Sequence, residues 1–217
     1  MCSKTLSVDE EDRYRTIIAT VFDSPIMWGG HGQGLAPPHV ALCTLSKHRP
    51  RWVVELANVA ADVAARRGRQ SISREDIFEN LVLFGRRRIH DTVAEFKAQC
   101  SEIDELIAAF NQEKEQLTTA ELLKLIESKV LSHLSPVIAG RSGRTSALEI
   151  AQFLFEIGLY YGRRERSSGG YEHYDFNTKP SLLRARTDID QGLTWEIHPV
   201  FRLALVTSPV FFGPAEA

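Results

Sequence analysis

Cysteine is scarce in this chain: Cys2, Cys43 and Cys100 are its three, an odd number without C-x-x-C spacing. That count argues against a disulfide framework and a four-cysteine metal site, and it fits a reducing compartment. Absent too is any apolar run of about 18 residues, the length a membrane-spanning helix needs. The opening MCSKTLSVDEEDRYR is too acidic and polar for a secretory leader. The expected location is the cytoplasm, with no membrane partner. Neither sign of charge dominates, since 26 Lys and Arg face 28 Asp and Glu. A globally basic nucleic-acid binder is therefore not expected, and any such contact has to be local. Internal repeats and low-complexity segments are missing as well.

What is present is helical punctuation. With 43% hydrophobic residues over 217 positions, the chain can bury one or two cores. Serine or threonine followed three residues later by an acid stands where apolar periodicity begins, at Ser73 and Asp76, Thr118 and Glu121, and Ser146 and Glu149. In each pair the hydroxyl accepts an orphan backbone N–H and the acid favours the positive helix end. Pro50 suits a first helical position, Val53, Leu56, Ala57, Ala60, Val63 and Ala64 form one stripe, and Gly68 ends the helix. Asp9–Phe22 reads as a helix. SPIMWGGHGQGLAPP after it reads as an irregular loop, and Phe84–Phe110 as one long or slightly broken helix.

From Ser101 the pattern changes to three helices, Glu102–Gln112, Thr119–Leu131 and Ala147–Ile157, followed by a hairpin over Leu159–Phe176 around Ser-Ser-Gly-Gly. LTWEIHPVFRLAL adds a further strand-like run. The order is that of a winged helix. The expected fold is mainly α: a helical lid-like domain over residues 1–100, then a winged-helix (α+β) domain over 101–217.

Catalytic constellations are not found. His31, His39 and His48 lack acids or cysteines at ligand spacing, so no metal site is expected. His198 reads as a strand-end residue, and Glu102, Asp104 and Glu105 as an acidic helix face. Arg86, Arg87 and Arg88 read as a solvated helix face. From Arg141 onward nine basic and nine acidic side chains balance. Glu149 and Glu156 on the third helix would repel phosphate, which disfavours groove reading there. Arg163, Arg164 and Arg166 with Tyr171 beside the glycine tip form the expected DNA or partner contact.

The run HRPRWVVELANVAADVAARRGRQSISREDIFENL resembles the helical lid of AAA+ and related STAND-type P-loop ATPases. Together with FGRRRIHDTVAEFKAQCSEIDELIAAF and WEIHPVFRLAL, it is similar to a family of bacterial P-loop ATPases with a C-terminal winged helix. That resemblance implies a sensor-2 role for Arg51, reaching a γ-phosphate, with Arg49 beside it. No G-x-x-x-x-G-K-[ST] occurs, however, and GRSGRTS at Gly140–Ser146 has neither the lysine nor a preceding strand. The chain by itself is thus expected to bind no cofactor and to catalyse nothing. ATP and Mg2+ would be met only with a P-loop domain or subunit as partner. Duplex DNA is the second expected partner, and oligomers are compatible with either. The rival readings are a winged-helix DNA-binding regulator whose helical half dimerises, and a purely structural interaction module.

Overall fold

The computed structural model describes residues 8–23, 26–27, 35–141, 143–167, 170–190 and 192–205. The chain divides into two compact units, one running to Phe84 and one beginning at Gly85.

The first unit is helical apart from a small strand pair. Its elements are α1 (Val8–Val21), β1 (Ile26–Met27), β2 (Leu35–Ala36), α2 (Pro38–Leu45), α3 (Pro50–Arg66), α4 (Arg74–Glu79) and the start of α5 (Leu81–Phe96). The Gly/Pro-rich stretch expected to be irregular has flanks that pair antiparallel, Ile26 with Ala36 and Met27 with Leu35. Pro50 occupies the first turn of α3, and Gly68 at φ +70° follows its end. The expected apolar stripe buries Leu56, Ala60, Val63 and Ala64. Trp52, one turn before Leu56 on the same face, is buried too.

Asp76 joins α3 to α4. Its carboxylate accepts from the Ser73 N–H and hydroxyl, both at 2.9 Å, and pairs with Arg67 at 3.3 Å and with Arg69. Burial alone would raise the Asp76 carboxyl, but the Ser73 hydrogen bonds and the Arg69 charge outweigh it and hold it below the usual range. The end of α1 is tied to the same linker, because Asp23 N–H donates to the Ile72 carbonyl at 2.9 Å and Ile72 N–H to that of Val21 at 2.8 Å.

The second unit is α+β. After the rest of α5 come α6 (Ile103–Ala108), β3 (Gln116–Thr118) and α7 (Thr119–Leu125), which continues as one π turn over Ile126–Val130. Then follow α8 (Ala147–Glu156), β4 (Tyr160–Glu165), β5 (Tyr171–Tyr174), β6 (Thr194–Ile197) and α9 (Pro199–Leu205). The four strands form one antiparallel sheet in the order β3-β6-β4-β5.

Two expectations are corrected here. The Phe84–Phe110 helix breaks after Phe96, where Cys100 leaves the helix to bridge Ile138. The run LTWEIHPVFRLAL is strand only as far as Ile197, because Pro199 begins a helix in which the His198 ring nitrogen Nδ1 accepts the Val200 N–H at 3.3 Å. All three capping boxes form in full.

The sheet has two different faces, since register partners share a side. Leu117, Tyr160, Trp195 and Ile197 face the helices and are buried, and the Trp195 indole N–H donates to the Thr119 hydroxyl at 2.9 Å. Gly162 lies 3.7 Å from the Trp195 ring, measured from where a Cβ would stand, so this register position takes the indole edge. The opposite side carries Gln116, Glu196, Tyr161, Arg163 and His173.

Candidate functional site

The arginines at the start of α3 are set by the turn that precedes them. Lys47 and His48 both take left-handed backbone conformations, φ +52° and +56°, between the end of α2 and Arg49. Their amides donate to the Thr44 and Cys43 carbonyls at 3.0 and 2.8 Å. Such a conformation costs a residue with a Cβ about 1–2 kcal/mol, so this turn is strained at two successive residues. No side chain caps α3. Trp52 and Val53 donate their amides back to the Arg49 carbonyl at 3.0 and 3.1 Å.

The two arginines then part company. Arg49 is half-buried, its guanidinium 4.7 Å from the centroid of the buried Trp52 ring. Arg51, on the first turn, is exposed. Positive charge at this helix start therefore comes from a stacked guanidinium and a free-standing one, at the end where the helix dipole is also positive.

The hairpin arginines are less alike than their spacing suggests. Arg163 lies 3.3 Å above the Tyr171 ring centroid, donates to Gln116 at 3.2 Å and pairs with Glu196. Arg164 pairs with Asp190 and sits 5.9 Å from the Tyr174 ring. Arg166 is exposed, and only its backbone closes the hairpin, on the Gly170 carbonyl at 3.0 Å. Among the described residues Arg166 is the one of the three without an ion pair. Tyr171 is half-buried beneath Arg163.

α8 offers little to a groove. Ala147, Ile150, Ala151, Phe153, Leu154 and Phe155 are buried. Of its polar residues, Gln152 and Glu149 are engaged by Arg141, at 2.9 and 3.8 Å. GRSGRTS leads into this helix: Thr145 donates to the Pro136 carbonyl at 2.6 Å, and Ser146 is the cap.

Sequence reasoning missed the centre of the polar sheet face. Glu196, 6% exposed, accepts from the Tyr161 hydroxyl at 2.7 Å and pairs with Arg163 and with Arg202. Arg202 of α9 is 3% exposed and also donates to the Ile197 carbonyl, at 2.9 Å from one terminal nitrogen and 3.2 Å from Nε. Its remaining nitrogen faces Glu115 at 3.5 Å. Burial would raise the Glu196 carboxyl, but the Arg163 and Tyr161 hydrogen bonds and the two arginine charges hold it down. Burial raises the Tyr161 phenol and lowers His173, which stands edge-on to Tyr161 at 4.8 Å. Alternation in Thr194-Trp195-Glu196-Ile197 was the available signal.

Arg88, read as part of a solvated face, is instead 3% exposed and pairs with Asp91 at 3.1 Å, whereas Arg86 and Arg87 are exposed. His198 packs 5.7 Å from Tyr161 beside the cap of α9. Among the described residues no group of three or more His, Cys, Asp or Glu side chains is arranged to hold a metal, and no helix is long and apolar enough to cross a membrane. Comparison with protein-family models, with curated proteins and with solved structures finds no match to this chain.

Proposed function

We propose that the chain is a non-catalytic module of a P-loop ATPase, a nucleotide-sensing helical lid followed by a winged helix that contacts a protein partner. Arg51 carries this reading. It is exposed on the first turn of a 17-residue helix, while Arg49 is held on Trp52 and the sequence contains no G-x-x-x-x-G-K-[ST]. A guanidinium so placed suits a phosphate that another domain or chain presents.

For the second half, the chain order α6, β3, α7, α8, β4, with β6 returning between β3 and β4, supports the winged-helix reading, with β5 as an extension of its wing. The buried apolar faces of α8, its engaged Gln152 and Glu149, and the paired Arg163 and Arg164 favour protein over duplex as the partner. Calorimetric titration of the chain with Mg-ATP, and a duplex-DNA titration across salt, test both halves. No nucleotide heat and no steep salt-dependent DNA binding are expected. Tight nucleotide binding would overturn the lid reading, and a salt slope of several phosphate contacts would favour the DNA-binding regulator.

A further inference from the structure

On the polar side of the sheet, two groups able to carry positive charge stand directly opposite each other. Arg163 of β4 and His173 of β5 are register partners, so both project from the same face. Both reach toward Glu196 of β6. Arg163 pairs with its Oε1, while the Tyr161 hydroxyl and Arg202 take Oε2 at 2.7 and 3.4 Å, and His173 Nε2 lies 4.0 Å from that same oxygen. Arg202 has a second acid, Glu115 at 3.5 Å, and an anchor on the Ile197 carbonyl. Arg163 has, besides Glu196, the Gln116 amide oxygen at 3.2 Å and the Tyr171 ring. Glu165, the register partner of Tyr171, stands on the same side but is exposed. His198 packs 5.7 Å from Tyr161, with its Nδ1 accepting the Val200 N–H. While His173 is neutral, two arginines meet two acids, Glu196 and Glu115. A proton on His173 sets a third cation against the same two acids.

We infer that the β4–β5 hairpin carries a proton-driven exchange of partners, in which protonated His173 takes the Glu196 carboxylate and Arg163 leaves it for solvent. Like charges directly opposite on neighbouring strands repel, and a single carboxylate does not neutralise three cations. Arg163 is the cation that yields. Arg202 is 3% exposed and is held by Glu115 and the Ile197 carbonyl as well, whereas Arg163 shares Glu196 as its acid and already lies against the half-buried Tyr171 ring. Half of the His173 side chain is exposed, so the proton reaches it from solvent. Partial burial and the two arginine charges lower His173 against the pull of Glu196, and the Glu196 carboxyl is itself held low. The exchange therefore falls below the ordinary histidine value of 6.5 and above the range in which Glu196 would be protonated. Its product is a hairpin with Arg163 freed beside the exposed Arg166. This inference does not rest on the nucleotide reading.

The test is an NMR titration of the full chain from about pH 7.5 to about pH 5, following the His173 ring Cε1–H and the Arg163 guanidinium nitrogens. In the unaltered protein the Arg163 signals should move with the same midpoint as His173, and that midpoint should lie below 6.5. In His173→Gln the Arg163 signals should stay still over this range. In Arg163→Gln, which relieves the repulsion and vacates the carboxylate, the His173 midpoint should rise by at least about half a unit. Arg163 signals that stay flat while His173 titrates, an Arg163 response that survives in His173→Gln, a His173 midpoint unchanged in Arg163→Gln, or a His173 midpoint above 6.5 in the unaltered protein would each overturn the exchange.

Discussion

Glu196 and Arg202 are both buried, and the Arg202 guanidinium reaches the Glu196 carboxylate at 3.4 Å while anchoring on the Ile197 carbonyl between them. Removing one partner strands the other charge out of water, which costs about 3–5 kcal/mol for a buried pair. Glu196→Gln and Arg202→Met should each destabilise the second unit by that order. The double variant should cost less than the sum, because neither charge is left behind. Urea unfolding of the four members of this cycle measures the coupling, and strict additivity would mean that the pair is not a unit.

Gly85 is where the backbone of α5 meets that of α9. A Cβ there would stand 2.5 Å from the Val200 carbonyl oxygen and 3.1 Å from the Ala204 Cβ. Gly85→Ala should destabilise by about 1–3 kcal/mol through overpacking, despite alanine's higher helix propensity. Gly68→Ala meets no atom within 4 Å, so its cost comes from φ +70° alone and should be about 1 kcal/mol. Denaturant midpoints at unchanged m-value decide both.

The α2–α3 turn should respond in the opposite direction. Glycine accepts the backbone angles of Lys47 and His48 without strain, although it adds freedom to the unfolded chain. The net expectation for His48→Gly, and separately for Lys47→Gly, is a gain of about 0.5 kcal/mol. A loss of stability in both would show that their side chains matter more than their backbone.

Acid should weaken the fold in two stages. His39 and His173 have lowered values through burial, so the unfolded chain takes up these protons first. Their contribution is lost as pH falls below the ordinary histidine value of 6.5. Asp76 and Glu196 are also lowered, and what they add is present above the ordinary carboxylate range and lost as pH falls below it. Asp76→Asn should flatten the second stage and leave the first in place, as read from thermal midpoints between pH 7 and pH 3.

Much of the first unit and of the hairpin was legible because its signals are local. A capping box is complete within four residues, as at Ser73–Asp76, and Ser-Ser-Gly-Gly between strand-prone runs announces its own turn. β3 was not legible. It is three residues long and exists because Leu117 lies opposite Trp195, a pairing no local window contains. Glu196 was hidden for the same reason: Arg163 and Tyr161 stand 33 and 35 positions away in sequence. Arg163 therefore read in the sequence as part of a DNA or partner contact and is committed in the fold to Glu196 and the Tyr171 ring. Arg51 was singled out through the resemblance of its run to an ATPase lid helix, and in the fold it is exposed on the first turn of α3.

The central claim is that Arg51 acts on a phosphate held elsewhere. Exposed ion pairs contribute only about 0–1 kcal/mol each, whereas micromolar binding needs about 8 kcal/mol, so the chain alone cannot hold ATP through Arg49 and Arg51. In a water-excluded site with the nucleotide already bound, one positioned guanidinium changes turnover by orders of magnitude. The most direct measurement is ATP turnover by the complex of this chain with the P-loop protein that copurifies with it or is encoded beside it, with Arg51 intact and in Arg51→Ala. Turnover should fall at least about tenfold while the melting temperature of the chain stays the same; equal turnover with and without Arg51 would contradict the lid assignment and leave Arg51 a solvated residue at a helix start.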